Sequence, residues 1–524
     1  MMTDKGLKRL SFLLGLLFLT CGELVFAQSC PDFANNAGYI LASATGSGSG
    51  TDWTNACTGF TGSCAGSAMV RGCTYYIGAG TYTPSGGTLI LNKPDSGTST
   101  ITIQSPTTSD HGTSSGWSNS FVGQAQINAG VEMDTDYWVI NGAYRSTANG
   151  NPWTDWRADS AYGIFINDKK GPCTAGNPNV YNASAIVAFG NADACGNGCA
   201  SNHSTLEYAT LQGSGCTQTA VGAEFGIWLS GIRGTPSTGT HISHVHLSGA
   251  TGNEIAADGN NNSTIEYSWF EKMNSYSTNG SETHSETISY RGNGTTGNDT
   301  NVFRWNFVEC SGGTAMLATP NAAGTLNNLQ VYGNVFFDNP SEENNPMPGG
   351  ALISIGYGYT TISNIYIVNN TFANIALACG AQCPNGPGPV VIGSDTNSGN
   401  LVAYNNIWYG QTQPYTSGGN FKFDYSGLYK DSAGMCSNAL DTHKLCSSTN
   451  PFVNVAYGTL DADNFNLTAN TALNGLNTHS ILPGNDVDMN GTVRGSGNWD
   501  VGALQFQGST PPPAAPTGLA ALVQ

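Results

Sequence analysis

One short pattern recurs through the middle of this 524-residue chain and limits its fold more than any other feature. The copies are Tyr208-Ala209-Thr210-Leu211, His244-Val245-His246-Leu247, Tyr267-Ser268-Trp269-Phe270, Trp305-Asn306-Phe307-Val308, Gly333-Asn334-Val335-Phe336, Asn369-Asn370-Thr371-Phe372 and Asn405-Asn406-Ile407-Trp408. Their last apolar residues fall at 211, 247, 270, 308, 336, 372 and 408, in steps of 23 to 38 residues. A second apolar run follows many copies, as in Gly226-Ile227-Trp228-Leu229, Ala351-Leu352-Ile353-Ser354-Ile355 and Val390-Val391-Ile392. Repeats of this length mark solenoids and arrays, and these units are short strands with Gly/Asn turns and no helical period. One unit cannot bury its apolar face alone, so neighbours must stack. The uneven steps fit loops of different length bulging from one side of a stack. They fit propeller blades poorly.

In that stack Asn306, Asn334, Asn370 and Asn406 fall in one column. Asn tolerates left-handed turn geometry, and its amide can bond the next copy. A ladder of this kind resembles right-handed parallel β-helix proteins, of the pectate-lyase-like type, over roughly residues 70–506. The stretch from Cys73 to Tyr82 looks like that family's first rung. Asp486-Val487-Asp488-Met489-Asn490-Gly491, Arg494 and Trp499-Asp500-Val501-Gly502-Ala503 look like its bacterial ending. The resemblance implies an all-β solenoid with an N-terminal cap region over 28–70, a β-helix domain over 71–506 and long loops on one side. After Phe506 a Pro-rich tail, 507–524, reads as a stiff linker and the start of an incomplete fibronectin-type strand.

At the other end Lys5, Lys8 and Arg9 precede an apolar run, and Val25-Phe26-Ala27 closes it with a signal-peptidase pattern. Residues 1–27 therefore read as a secretory signal, and the chain as extracellular or periplasmic. No later stretch is apolar for long enough to span a bilayer. Removing the signal takes Asp4 and Glu23 from 35 acidic residues and Lys5, Lys8 and Arg9 from 17 basic ones. The remaining 33 and 14 give a net charge of −19. Such a surface repels nucleic acid and anionic lipid, so a polyanionic sugar must find a local basic patch or a cation. Export permits disulfides, and Cys57/Cys64, Cys195/Cys199, Cys379/Cys383 and Cys436/Cys446 are spaced as loop staples, with Cys310 left over. No pair has zinc-knuckle spacing.

Residues 282–292, ETHSETISYRG, concentrate charge that is otherwise scarce, since Asp, Glu, Lys and Arg make up 10% of the chain. His284, Glu286 and Ile288 share a strand face by the period of two. Asn253 lies 31 residues before His284, about one repeat, so Asn253 or Glu254 should stand beside His284 and Glu286, with Arg291 at the strand end. The arrangement resembles the chondroitinase B and alginate lyase family. That family has Asn on one rung and Glu-x-Glu on the next, followed by a Lys base. Asn253 and Glu286 match; His284 stands at the first Glu and Arg291 at the Lys. The family's following Arg has no counterpart in Gly312-Gly313-Thr314-Ala315-Met316. The resemblance implies β-elimination of an acidic polysaccharide, with calcium held by Asn253 and Glu286.

The departures shift the roles. Arginine stays protonated and is a poor base, so Arg291 suits a carboxylate or sulfate. His for Glu weakens a hard-cation site. The base becomes His284, with an ordinary pKa near ~6.5, or Tyr290. Glu254, Arg304, Trp153 and Trp156 are the remaining substrate-binding candidates, the tryptophans for stacking a sugar ring. The structural alternative pairs His284 and Glu286 with Arg291 or Arg304. Glycoside hydrolysis remains open because Glu254, Asp258 and Glu286 can supply a carboxylate pair. So does a non-catalytic carbohydrate-binding surface. Two weaker metal patterns are His241/His244/His246, in which His244 and His246 should share a face, and Asp486/Asp488/Asn490, half of an EF-hand loop.

Overall fold

A computed structural model describes residues 29–143, 156, 158, 160, 162–171, 185–190, 200–214, 225–230, 237–250, 253–271, 287–291, 297–309, 315–318, 324–338, 353–355, 361–374, 391–392, 400–410, 416–417, 422–430, 435–437, 441–455, 464–469, 482 and 484–506. The expected signal and Pro-rich tail lie outside these residues, as do Cys195, Cys199, Cys310, Cys379 and Cys383.

The middle coils pass through three sheets. One coil runs through Ile255–Asp258, then Asn260–Asn261, then Thr264–Glu266 and Trp269–Phe270, before the chain returns as Ile288–Arg291 beside Ile255–Asp258. The stacked coils build a 23-stranded sheet, a ten-stranded sheet and a narrow five-stranded sheet, called here the long, second and third sheets. Their strands pair in parallel; an antiparallel pair, Phe452–Asn454 with Asn464–Leu467, stands apart. This is a parallel β-helix.

The repeated apolar positions are one column. Leu211 pairs with Leu247, Leu247 with Phe270, Phe270 with Val308, Val308 with Phe336, Phe336 with Phe372, and Phe372 with Trp408. All are buried in one continuous core, where the later rings stack 5.1 Å and 4.4 Å apart from Phe336 to Phe372 to Trp408. The unequal sequence steps vanish in space because the extra residues leave the coil between strands.

The asparagine ladder also forms. Asn306 N donates to Asn334 Oδ1 at 2.9 Å, Asn334 N to Asn370 Oδ1 at 3.1 Å, and Asn370 N to Asn406 Oδ1 at 2.8 Å. Each amide Nδ2 also donates to a strand carbonyl of the coil before it, as Asn370 does to Val331 O at 2.9 Å. The left-handed turn geometry expected of these residues belongs instead to the position before each: Tyr208, His244, Tyr267, Trp305, Gly333, Asn369 and Asn405, with φ from 51° to 67°. The ladder Asn stays extended and ties the corner, while the residue before it turns. Aromatics tolerate that turn here because their rings stack outside the coil, at 4.6 Å for Tyr208–His244, 5.2 Å for His244–Tyr267 and 4.9 Å for Tyr267–Trp305. Gly333 interrupts this row: at φ 67° a Cβ would stand 2.6 Å from Trp305 Cδ1. Gly333→Ala is expected to cost about 1–3 kcal/mol from turn strain and ring displacement, read by denaturant titration.

The two ends close the coil. Ala37–Leu41 pairs in parallel with Thr74–Ile77, so the expected cap is already part of the long sheet, and a Cys30–Cys73 disulfide ties it there. Cys57–Cys64 and Cys436–Cys446 are bonded as their spacing suggested. At the far end residues 484–506 fold back along the outside. Asn369 and Asn405 donate to Asp500 O at 3.3 Å and 3.0 Å, and Val501, Ala503 and Leu504 join Val335, Ala373 and Ile407 in a second apolar cluster.

Candidate functional site

The charged residues that escape simple surface roles gather at the corner where the long sheet turns toward the second sheet. Glu271 follows Trp269–Phe270, and Glu309 ends Phe307–Glu309 on the next coil. Because Phe270 pairs with Val308, the two carboxylate-bearing positions lie one above the other. Across the corner the second sheet begins. Ile227 N donates to Glu254 O, Ile255 N to Thr287 O and Ile288 N to Ala315 O, so Glu254, Thr287 and Ala315 form one column.

Glu254 is 0% exposed, and neither carboxyl oxygen has a hydrogen-bond partner. Burial holds its pKa well above the usual carboxylate value, and the charges of Glu271 and Glu309 push it further the same way. Glu271 is held by His246, whose Nε2 lies 2.6 Å from Oε2. Thr287 donates its hydroxyl to Glu309 O at 3.4 Å. Asn253, adjacent in the chain, is also fully buried. The corner thus sets a carboxyl of raised pKa beside other carboxylates, an arrangement that can carry a proton or surround a hard cation. Among the described residues no three His, Cys, Asp or Glu side chains stand close enough to share a metal ion.

A raised carboxyl pKa has a defined sign. Glu254 holds its proton in the fold at pH values where the unfolded chain has lost it, so the stability it contributes falls as pH rises above its ordinary pKa of 4.5. Glu254→Gln keeps the shape without the ionisation. The variant is expected to gain thermal stability over wild type as pH is raised from acid to neutral, and to match it in acid.

The expected site residues fall only partly within the described residues. Asn253 and Glu254 are at the corner, sealed from solvent. Arg291 ends its strand paired with Asp258, and Ile255 pairs with Ile288, so one coil here takes 33 residues rather than the 31 assumed from Asn253 to His284. His284, Glu286 and Trp153 lie outside the described residues. Tyr290 is a correction: it is 0% exposed within the core, so its hydroxyl cannot act as a base on a bound chain. Arg304 is on the long sheet, not beside Arg291. Its guanidinium meets Glu266 at 2.6 Å and Tyr332 Oη at 2.8 Å and lies 4.2 Å from the Trp305 ring, a structural cluster rather than a free sugar contact. Burial works against the Glu266 carboxylate, but His241 and Arg304 outweigh it and hold its pKa low. Trp156 is 4% exposed, edge-on to His244, Tyr267 and Phe307, so its face is unavailable for stacking a sugar.

The two weaker metal patterns dissolve. His244 occupies the left-handed corner at φ 52° and breaks the alternation, so His241, His244 and His246 turn to Glu266, Tyr208 and Glu271 in turn. Asp488 accepts from Asn490 N, Thr492 N and Gln505 N, which makes it a turn anchor. The acidic corner itself was missed, although its signal was present. In Ser268-Trp269-Phe270-Glu271 and Asn306-Phe307-Val308-Glu309 a Glu directly follows the repeated apolar residue in consecutive copies.

The fold has likenesses among solved structures. The chain resembles the pectate lyase Pel9A at 16% identity, with TM-score 0.42, covering 90% of this chain and 96% of that one. It resembles the alginate lyase AlyGC at 13% identity and TM-score 0.32, over 72% and 51% of the two chains. It also resembles a mannuronic acid specific polysaccharide lyase from human gut microbiota at 10% identity and TM-score 0.34, over 75% and 85%. No family model and no curated protein matches the sequence. The β-helix itself rests on the strand pairings. No helix among the described residues is long and apolar enough to cross a membrane.

Proposed function

We propose that this chain is an exported enzyme that cleaves an acidic polysaccharide by β-elimination, beside the coils that carry Asn253–Asp258 and Thr287–Arg291. The observation that carries the reading is the fully buried, unpartnered carboxyl of Glu254 at the head of a strand whose neighbour ends in Arg291. Leaving such a group unsatisfied is costly, and folds retain that cost mainly at functional sites. In this reading His284 removes the proton next to the uronate carboxylate, and Arg291 supplies positive charge to the developing enolate. Calcium fits Glu254's orphaned oxygens; Asn253, Glu254 and Glu286 would hold it inside the sealed corner, from where its charge, and not a direct contact, would act on the uronate carboxylate. A calcium-dependent rise in melting temperature at neutral pH, absent in Glu254→Gln, tests that ligand set without an activity assay.

A second reading, glycoside hydrolysis, is favoured by the same carboxyl of raised pKa beside Glu271 and Glu309, since glycosidases divide acid and base roles between two carboxyls. One experiment separates them. Wild-type protein is incubated with a panel of acidic and neutral glycans, and ultraviolet absorbance of an unsaturated product is followed together with new reducing ends. Both signals together support elimination. Reducing ends without absorbance support hydrolysis. Neither signal across the panel leaves a non-catalytic carbohydrate-binding surface and defeats the proposal.

A further inference from the structure

The row of turning residues at the asparagine corner runs on past the point where residues 484–506 cover it. Trp305 Nε1 donates to Val487 O at 3.3 Å, and Asn369 and Asn405 donate to Asp500 O, so these positions are roofed. Register carries the row from Asn405 to Tyr425 and from Tyr425 to His443. There it comes into the open: Tyr425 is half-buried, and half of the His443 side chain is exposed. The two rings stack at 4.5 Å and 13°. Asp424 fixes them in place. Its Oδ1 accepts from Tyr425 N at 2.9 Å and His443 N at 2.6 Å, and its Oδ2 lies 3.0 Å from His443 Nδ1. That carboxylate is spent on the scaffold, while a neutral His443 with its proton on Nδ1 keeps Nε2 as an acceptor. On the next strand Tyr404 is in register with Asp424, half-buried, and 6.3 Å from Tyr425 at 71°. Burial, and then the charge of Asp424, raise the Tyr404 pKa, so its hydroxyl stays a donor. Lys422 shares the outer face with Asp424, because Phe423 between them is in the core, and it is exposed. Basic residues number only 14 once the expected signal is removed, so an exposed lysine beside three rings stands out from the rest of this acidic surface.

We propose that Tyr404, Lys422, Tyr425 and His443 form an anchoring site for a uronate residue of an acidic polysaccharide, separate from the place of cleavage. The C–H face of the sugar takes the rings, its carboxylate takes Lys422, and its hydroxyls meet Tyr404 Oη and His443 Nε2. Sugar rings are amphipathic, and two aromatic walls at a steep angle, held still by one carboxylate, give them apolar contact and polar partners together. A carboxylate fits because Lys422 is a point charge in the open, whereas the charge of Asp424 is met by three N–H groups. The anchor is remote from Arg291. From Ile288–Arg291 the second sheet steps through Met316–Ala318, Ile353–Ile355 and Val391–Ile392 to Thr416–Ser417, the strand that precedes Lys422. Four spacings of ~4.8 Å put the anchor about 19 Å further along the axis, on another sheet. A long glycan held there dwells near the cleaving coil at raised effective concentration, which a short one cannot do. The ligand class rests on the acidic-polysaccharide reading above; the place does not.

Calorimetric titration of the full chain carrying Arg291→Ala tests this, alone and with Tyr404→Ala, Tyr404→Phe or Lys422→Gln added. The probes are hexagalacturonate, hexamannuronate and uncharged cellohexaose. At least one acidic hexasaccharide is expected to bind, about tenfold or more tighter than cellohexaose. Tyr404→Ala should weaken that binding about tenfold, and Tyr404→Phe less. Lys422→Gln should bring the acidic probe down to the level of cellohexaose and flatten its dependence on salt. Binding of neither acidic probe overturns the anchor. So does cellohexaose binding as tightly as the acidic probes, or Tyr404→Ala and Lys422→Gln both binding like their parent while melting normally. Cleavage by wild type is followed in parallel. Tyr404-dependent binding with no cleavage of any glycan removes the catalytic reading and keeps the anchor; cleavage without Tyr404-dependent binding keeps the catalytic reading and removes the anchor.

Discussion

Replacing Asn370 by alanine is expected to destabilise the protein by about 3–5 kcal/mol. Asn370 is fully buried and works in both directions along the stack. Its Oδ1 accepts from Asn334 N at 3.1 Å and Asn334 Nδ2 at 3.0 Å, and its Nδ2 donates to Val331 O at 2.9 Å. Alanine removes these bonds together and leaves buried donors and an acceptor with nothing to meet. Stacked repeats depend on contacts between neighbours, so a break in mid-ladder weakens the coils on both sides. Asn400→Ala, at an exposed position before Leu401, is the control and is expected to change nothing measurable. Denaturant unfolding of both variants reads the difference. Equal midpoints would mean that the ladder ornaments the fold without holding it.

The second large effect concerns activity. Arg291→Ala is expected to lower kcat by about 100-fold to 1,000-fold on a glycan that wild type cleaves, the usual loss when one group facing developing negative charge is removed. The melting temperature should barely move, since Arg291 is the last residue of its strand. Arg291→Lys should recover part of the rate, because charge is restored without the planar fork that grips a carboxylate. A variant as active as wild type would remove Arg291 from the chemistry.

Much of the scaffold was legible in the residues. The spacing of Leu211, Leu247, Phe270, Val308, Phe336, Phe372 and Trp408 translated directly into one buried column, because a strand column records which residues share a core and ignores loop length. The asparagine column was legible for the same reason. Finer geometry was not. The residue that turns at each corner is a Tyr, His or Trp as often as an Asn, and no propensity rule selects Tyr or Trp for left-handed backbone. Only the neighbouring rings in the stack make them acceptable.

The site was harder to read. A count of 31 residues looked like one repeat, yet the hydrogen bonds set the step at 33. Since alternation has a period of two, offsets within a strand are safe, but offsets between coils depend on how many residues each corner spends. Arg304 and Trp156 were attractive because charge and large aromatics are scarce; both proved to be committed to neighbours, Arg304 to Glu266 and Tyr332, Trp156 to three rings. Conversely, Glu271 and Glu309 acquire meaning only through Glu254, a residue from another sheet. No local motif announces such a meeting.

The most direct measurement is a crystal structure of Arg291→Ala grown with an acidic oligosaccharide that the wild type degrades. Sugar density is expected beside the second sheet, with a carboxylate near position 291. Ordered sugar on the long sheet or on residues 484–506, with the second sheet bare, would contradict the placement of the active face.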